Sequence, residues 1–417
     1  MLSLICVKEG RDKLKGQTTK RSAYVVLIAS IIFNLTIQVL YIWSLLKREM
    51  MLGDWGWTSR EGGLPYTLII IFFSIGVLLG GRVQDKIGPR WVATVGGAFV
   101  GLGMIISGLL GDDPIGVAIA YGGISGLGIG FGYGSVLPAC LKWFHPGKKG
   151  LIGGLVLAGF GLASVHYAVI TESFLDKFGI QNTLLYIGGA IAVISVIAAQ
   201  FVKNPPPEYS PVKLEKASLP AVKTVAVDLT WKDMLQTKRF YLIFILFVFS
   251  VSMGLMILGN VAKIAIVQTG VESVVFLISL AAVMNAAGRI IGGFLSDKIG
   301  RANTLFIVII LQMLNMVGFV FYQNIVALTF GLILTGLCFG TFLTVFPALT
   351  ADQYGLKNYG FNYGIVYLAY GFAGTVAPVI ADYFYDRNGS FNTAYIICAI
   401  MMALMLVINL LLKREIS

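Results

Sequence analysis

Apolar residues in this chain come in long unbroken runs separated by short polar joints, rather than alternating or striping one face of otherwise polar segments. Twelve runs can be drawn, at about 24–46, 61–82, 91–110, 115–141, 149–172, 182–202, 239–262, 273–294, 302–322, 325–351, 358–382 and 391–412. Each is long enough to cross a hydrocarbon layer of roughly 30 Å, which takes about 20 helical residues. Helices follow, because lipid offers no partner to exposed backbone groups and the runs lack the two-residue alternation of barrel strands. The pattern predicts an all-α polytopic membrane protein with twelve transmembrane helices.

The joints divide the chain. Between the sixth and seventh runs, Lys203 to Arg239 carries Pro205-Pro206-Pro207, Pro211, Pro220 and mixed charges, the composition of an extended linker without a core of its own. The expected organisation is a tail at 1–23, a six-helix bundle at 24–202, a linker at 203–238, a second six-helix bundle at 239–412 and a short tail at 413–417. Placing both tails and the linker in the cytoplasm puts most of the 31 Lys and Arg residues on that side, as the positive-inside rule requires. The basic N-terminus contains acids and no cleavage site ahead of the first run, so it reads as a cytoplasmic tail of a cell-membrane protein.

Composition sharpens this picture. With 57% hydrophobic and 12% charged residues and a mean hydropathy of +0.84, the chain is far more apolar than a soluble protein. Its net charge of +11 follows topology, so no nucleic-acid partner is expected. Cys6, Cys140, Cys338 and Cys398 lack disulfide or metal spacing. No cofactor or metal motif, P-loop or paired catalytic carboxylates appear, which argues against an enzyme or an ATP-driven pump.

The halves also repeat. Gly81-Arg82-Val83-Gln84-Asp85-Lys86-Ile87-Gly88-Pro89-Arg90, after the second run, is echoed by Gly293-Phe294-Leu295-Ser296-Asp297-Lys298-Ile299-Gly300-Arg301 after the eighth. Lys148-Lys149-Gly150 with Gly161 is echoed by Lys357-Asn358-Tyr359-Gly360 with Gly371. Both echoes fall at an offset of about 210 residues, the mark of an internal duplication. In the first echo, Asp85, Arg90, Asp297 and Arg301 sit at helix ends, where charges can pair across helices and latch one conformation.

Twelve spans with G-x-x-x-D-K-x-G-x-R in both halves resemble the major facilitator superfamily. Within it, Tyr41-Ile42-Trp43-Ser44, Lys142-Trp143-Phe144-His145-Pro146-Gly147-Lys148-Lys149-Gly150 and Asn285…Arg289 resemble the oxalate/formate antiporter family, a relative of the monocarboxylate transporters. The resemblance implies secondary transport by alternating access.

Arg289 is the residue the apolar pattern cannot explain. A cation in hydrocarbon costs from about 3 to more than 10 kcal/mol, and no Asp or Glu lies within two turns of it in its run. Asn285, one turn back, is neutral. The missing anion reads as the substrate, with the guanidinium offering two parallel donors to a carboxylate and Asn285 positioning it; the alternative is an arginine bonded to backbone carbonyls and tyrosines. Tyr363, Tyr367 and Tyr370 share one stripe of the eleventh run and read as cavity lining. The resemblance implies a substrate-facing tyrosine at Tyr133; Tyr41 and Tyr66 are weaker candidates. On the fourth run, Gly122, Gly126, Gly130 and Gly134 predict close helix packing. His166, the one histidine inside a run, is a candidate proton carrier or a structural residue.

Two departures from the resemblance bear on the substrate. Oxalate exchangers of the family are expected to place a Lys on the eleventh span, where this chain has Val366. Animal-type monocarboxylate transporters are expected to place an Asp where it has Asn285. A single cation suits one negative charge in a low dielectric. The expectation is therefore a small monocarboxylate of the lactate, pyruvate or formate type, moved by proton symport or anion exchange through a monomer. The rivals are an oxalate/formate-type dicarboxylate exchanger and a non-transporting membrane sensor.

Overall fold

Helix ends in this protein fall where the sequence supplies caps and turns. The computed structural model describes residues 21–53, 55–209, 228–271 and 275–416, and every regular element among them is helical. Most of the N-terminal tail and the middle of the linker lie outside the described residues, as does Cys6.

Helix α1 spans Arg21–Ile37. The chain then breaks at Gln38, makes a 3-10 turn at Val39–Ile42 and resumes as α2, Trp43–Leu52. The single run expected at 24–46 is therefore two pieces. Neither Pro nor Gly sits at the break, and its freed carbonyls are held by tertiary bonds. Tyr121 Oη donates to the Val39 carbonyl at 2.6 Å, and Tyr167 Oη donates to that of Thr36. At membrane depth such donors must come from protein, since lipid has none.

Helix α3, Ser59–Ile87, opens with a capping box between Thr58 and Glu61. It turns into α4, Pro89–Leu110, at Gly88, whose φ of +90° only glycine adopts readily. Helix α5, Pro114–Leu141, contains a π segment at Ala118–Ser125. Helix α6, Lys149–Phe201, covers two expected spans and bends at Gly179, with φ +70°. After the linker, a short α7, Trp231–Leu235, is capped by Thr230 and Asp233. The second half follows as α8 (Lys238–Gly259), α9 (Val261–Thr269), α10 (Val275–Ile299), α11 (Arg301–Phe319), α12 (Ile325–Tyr354), α13 (Tyr359–Asn388) and α14 (Asn392–Ile416). Nine of the described helices are long and apolar enough to cross a membrane; with α6 counted as two spans and the shortened α1 and the tyrosine-bearing α13 added, they make twelve.

The halves meet along two helix pairs, α3 with α13 and the first arm of α6 with α10. Small residues bring these backbones together. A side chain on Gly81 would strike the Gly360 carbonyl, and one on Gly293 would strike that of Gly150. Inside the first half, the glycine ladder of α5 does the same, with Gly130 seated on the Phe73 carbonyl and Gly76 of α3. This is the packing role expected from the spacing.

Candidate substrate site and gates

Arg289 lies on α10 at the seam between the halves, 2% exposed. Its Nε donates to Asn285 Oδ1 at 3.1 Å, the i−4 contact one helical turn provides. Its Nη1 donates at 2.7 Å to the carbonyl of Leu157 on α6. That carbonyl is in the other half, so the guanidinium bridges the two repeats. Among the described residues Arg289 has no carboxylate partner, and its Nη2 end makes no hydrogen bond. Burying such a group is costly unless its remaining donors meet an acceptor.

Aromatic rings enclose this centre. The Phe160 ring lies 5.8 Å from the guanidinium carbon, near the outer limit of cation–π attraction. Tyr133 on α5 and Tyr363 on α13 approach with their hydroxyls 3.3 Å apart, across the seam. Tyr367 packs on Tyr133 at 4.9 Å between centroids and lies within electrostatic reach of Arg289. Phe73 on α3 joins the group, touching the rings of Tyr133, Phe160, Tyr367 and Tyr370. Arg289, Asn285, Tyr133, Tyr363 and Tyr367 thus come together, with α5, α6, α10 and α13 each contributing. Phe73 and Phe160 were not singled out from sequence, because a phenylalanine within an apolar run carries no mark distinguishing it from core.

Other candidates lie elsewhere. The Tyr41 side chain is outside the described residues, although its backbone lies in the turn that follows the α1 break. His166 is half-buried between the exposed Val165 and Val169, with its ring tilted against that of Tyr167 at 4.3 Å between centroids. It follows Leu157 by nine residues, or about 13 Å of helix, and stands apart from the cluster. Tyr66 is exposed. Val366 is fully buried beside Tyr367. Lys263 lies 3.8 Å from the Tyr385 ring centre, and Tyr385 is about 27 Å along α13 from Tyr367.

The doubled loops form one reciprocal clasp. Asp297, ending α10, accepts from the backbone N–H groups of Gly150 and Leu151 at the start of α6, both at 2.8 Å. Asp85, ending α3, accepts from Gly360 and Phe361 at the start of α13, at 3.2 and 2.9 Å. Each carboxylate thus caps the first turn of a helix in the opposite half, where unpaired N–H groups and the helix dipole favour an anion. The two sequence echoes are the two sides of this clasp. Arg301 reinforces one side, bonding Asp297 at 2.6 Å and Asp352 at 2.8 Å, and Lys149 adds a bond to Asp352 at 2.9 Å.

Arg90 does not mirror Arg301. It is exposed and donates to the Gln200 carbonyl within its own half. Pro89 is the reason: it places Arg90 two residues after Gly88, whereas Arg301 directly follows Gly300. One added residue turns a helical side chain by about 100°. Lys142 lies near Asp85 instead, its ammonium pushed down by burial and held up in part by the Asp85 and Asp228 carboxylates.

Two structurally repeated halves, a buried cation at their seam and a reciprocal clasp at one end define a polytopic membrane carrier. The family model described as Major Facilitator Superfamily matches residues 25–334 and 316–416, and the chain belongs to that family: it is a transporter rather than an enzyme. It is 27% identical to the oxalate:formate antiporter of Oxalobacter formigenes over 332 residues, covering 77% of this chain and 75% of that one. It is 23% identical over 350 residues to monocarboxylate transporter 12 of Mus musculus, covering 78% and 71%. Among solved structures, the transporter FucP in its outward conformation superposes with a TM-score of 0.70 at 13% identity, covering 93% of this chain and 97% of that one. This likeness establishes the fold: twelve helices in two bundles.

Proposed function

We propose that this transporter carries a small monocarboxylate of the lactate, pyruvate or formate type across the cell membrane by alternating access, as proton symport or anion exchange. The observation that carries this reading is the buried Arg289, with neutral partners only and an unbonded Nη2 end, at the seam where a rocking carrier exposes its site alternately to each side. A monocarboxylate on that end supplies one negative charge and accepts a charge-assisted bond. With both termini and the linker in the cytoplasm, the clasp of Asp85 and Asp297 closes the cytoplasmic end, and the conformation described here opens outward or is occluded. The bundles occupy 24–202 and 239–412, and the carrier works as a monomer.

The kinship with an oxalate:formate antiporter supports a second reading, exchange of a dicarboxylate. It is less favoured, because the described residues place no second cation beside Arg289: Val366 is apolar and Lys263 is distant. Uptake of labelled lactate, formate and oxalate into proteoliposomes, with and without a pH gradient, separates the two. Saturable monocarboxylate uptake supports the first reading, and oxalate exchange without it supports the second.

A further inference from the structure

The break after α1 carries a feature that the Arg289 cluster does not use. Gln38, at the break, is 0% exposed, and neither its Oε1 nor its Nε2 has a partner among the described residues. One turn earlier, Asn34 is 1% exposed and its Oδ1 is also unpartnered. An amide buried with both ends unmet loses its hydration without return, at about 1–3 kcal/mol for each unpaired group. Gln312 shares this property but lies on α11, which packs against α12 and α14 within its own half.

Asn34 and Gln38 are close to the site. Asn34 Nδ2 donates at 3.1 Å to the Val156 carbonyl, and Arg289 Nη1 donates at 2.7 Å to that of Leu157. Consecutive carbonyl oxygens of a helix are about 3–4 Å apart. The Asn34 amide and the Arg289 guanidinium therefore sit within about 10 Å of each other, on neighbouring carbonyls of α6. Gln38 continues the Asn34 face one turn further, at a break of the kind that membrane carriers use to line a cavity.

We infer that Asn34 and Gln38 form a second, neutral subsite that reads an uncharged hydroxyl or keto oxygen on the substrate while Arg289 holds its carboxylate. This rests on the monocarboxylate reading above and narrows it to acids with a second polar group. The unmet atoms fit a hydroxyl best. Asn34 Oδ1 accepts its one hydrogen, and Gln38 Nε2 donates to its oxygen. A keto oxygen takes only the donated bond.

Lactate and propionate differ by one hydroxyl, so their uptake by reconstituted full-length protein tests the subsite. The unaltered chain should transport lactate with kcat/KM at least about tenfold above propionate. Gln38→Met keeps the shape and removes both polar atoms; it should lower lactate uptake about tenfold and leave propionate within about twofold. Asn34→Leu should act in the same direction, and a thermal midpoint in detergent reports whether each variant is folded. Equal loss for both acids overturns the inference, and so does an unaltered chain that handles them alike. The second does not depend on a variant's folding, since the unaltered chain alone decides it. A chain that moves oxalate and neither monocarboxylate contradicts the parent reading, a distinct result visible before any substitution.

Discussion

Asp297 and Gly150 stand 147 residues apart in the chain, and the carboxylate of one accepts at 2.8 Å from the other, in the first turn of α6. Asp85 and Gly360 repeat the relationship in the opposite sense. The two motifs most visible in the sequence are thus bonded to each other's halves, and the closed end of the carrier is held by anions on helix N-termini. On the proposed alternating-access cycle, opening that end breaks both caps together.

Asp297→Asn should loosen this end. It removes a charge-assisted cap and the Arg301 pair, a loss of about 1–3 kcal/mol that shifts the closed-to-open ratio by roughly 5- to 150-fold. Thiol labelling of a cysteine introduced at half-buried Lys148, just ahead of the capped helix, should become faster by a comparable factor.

Arg301→Gln and Arg90→Gln should differ, although the motif makes them look alike. The first breaks bonds to Asp297 and Asp352 and should raise labelling at the clasp end. The second removes one bond to the Gln200 carbonyl within a single half and should leave labelling within about twofold of the unaltered protein.

His166→Ala should leave the response to an imposed pH gradient intact. The imidazole lies against Tyr167, nine residues along α6 from the Leu157 carbonyl that Arg289 holds. Loss of gradient-driven uptake, with the variant still folded and exchanging substrate, would assign it the proton.

Much of this was legible in sequence because lipid leaves few choices. Run lengths fixed helices, prolines and charges marked the linker, and an arginine without a carboxylate within reach announced itself as out of place. The glycines at 81 and 293 also repeated where the backbones touch. Less legible were features decided by neighbours distant in the chain. Nothing local breaks α1 at Gln38; Tyr121 and Tyr167, more than 80 residues away, hold it. The extra Pro89 was readable as a mismatch between the two motifs, but its effect on Arg90 needed the helix turn to be seen. Phe73 and Phe160 became part of the site only when α3 and α6 met α5 and α13.

On the proposed function, Arg289 binds the substrate carboxylate through its planar fork. The most direct test is counterflow of labelled lactate in proteoliposomes holding equal amounts of the unaltered chain and of Arg289→Lys. An ammonium keeps the charge but cannot form two parallel bonds or hold both Asn285 and Leu157. Counterflow should fall at least about a hundredfold, with insertion and thermal midpoint retained. Near-normal counterflow by Arg289→Lys would contradict it and leave Arg289 as a structural bridge between the two halves.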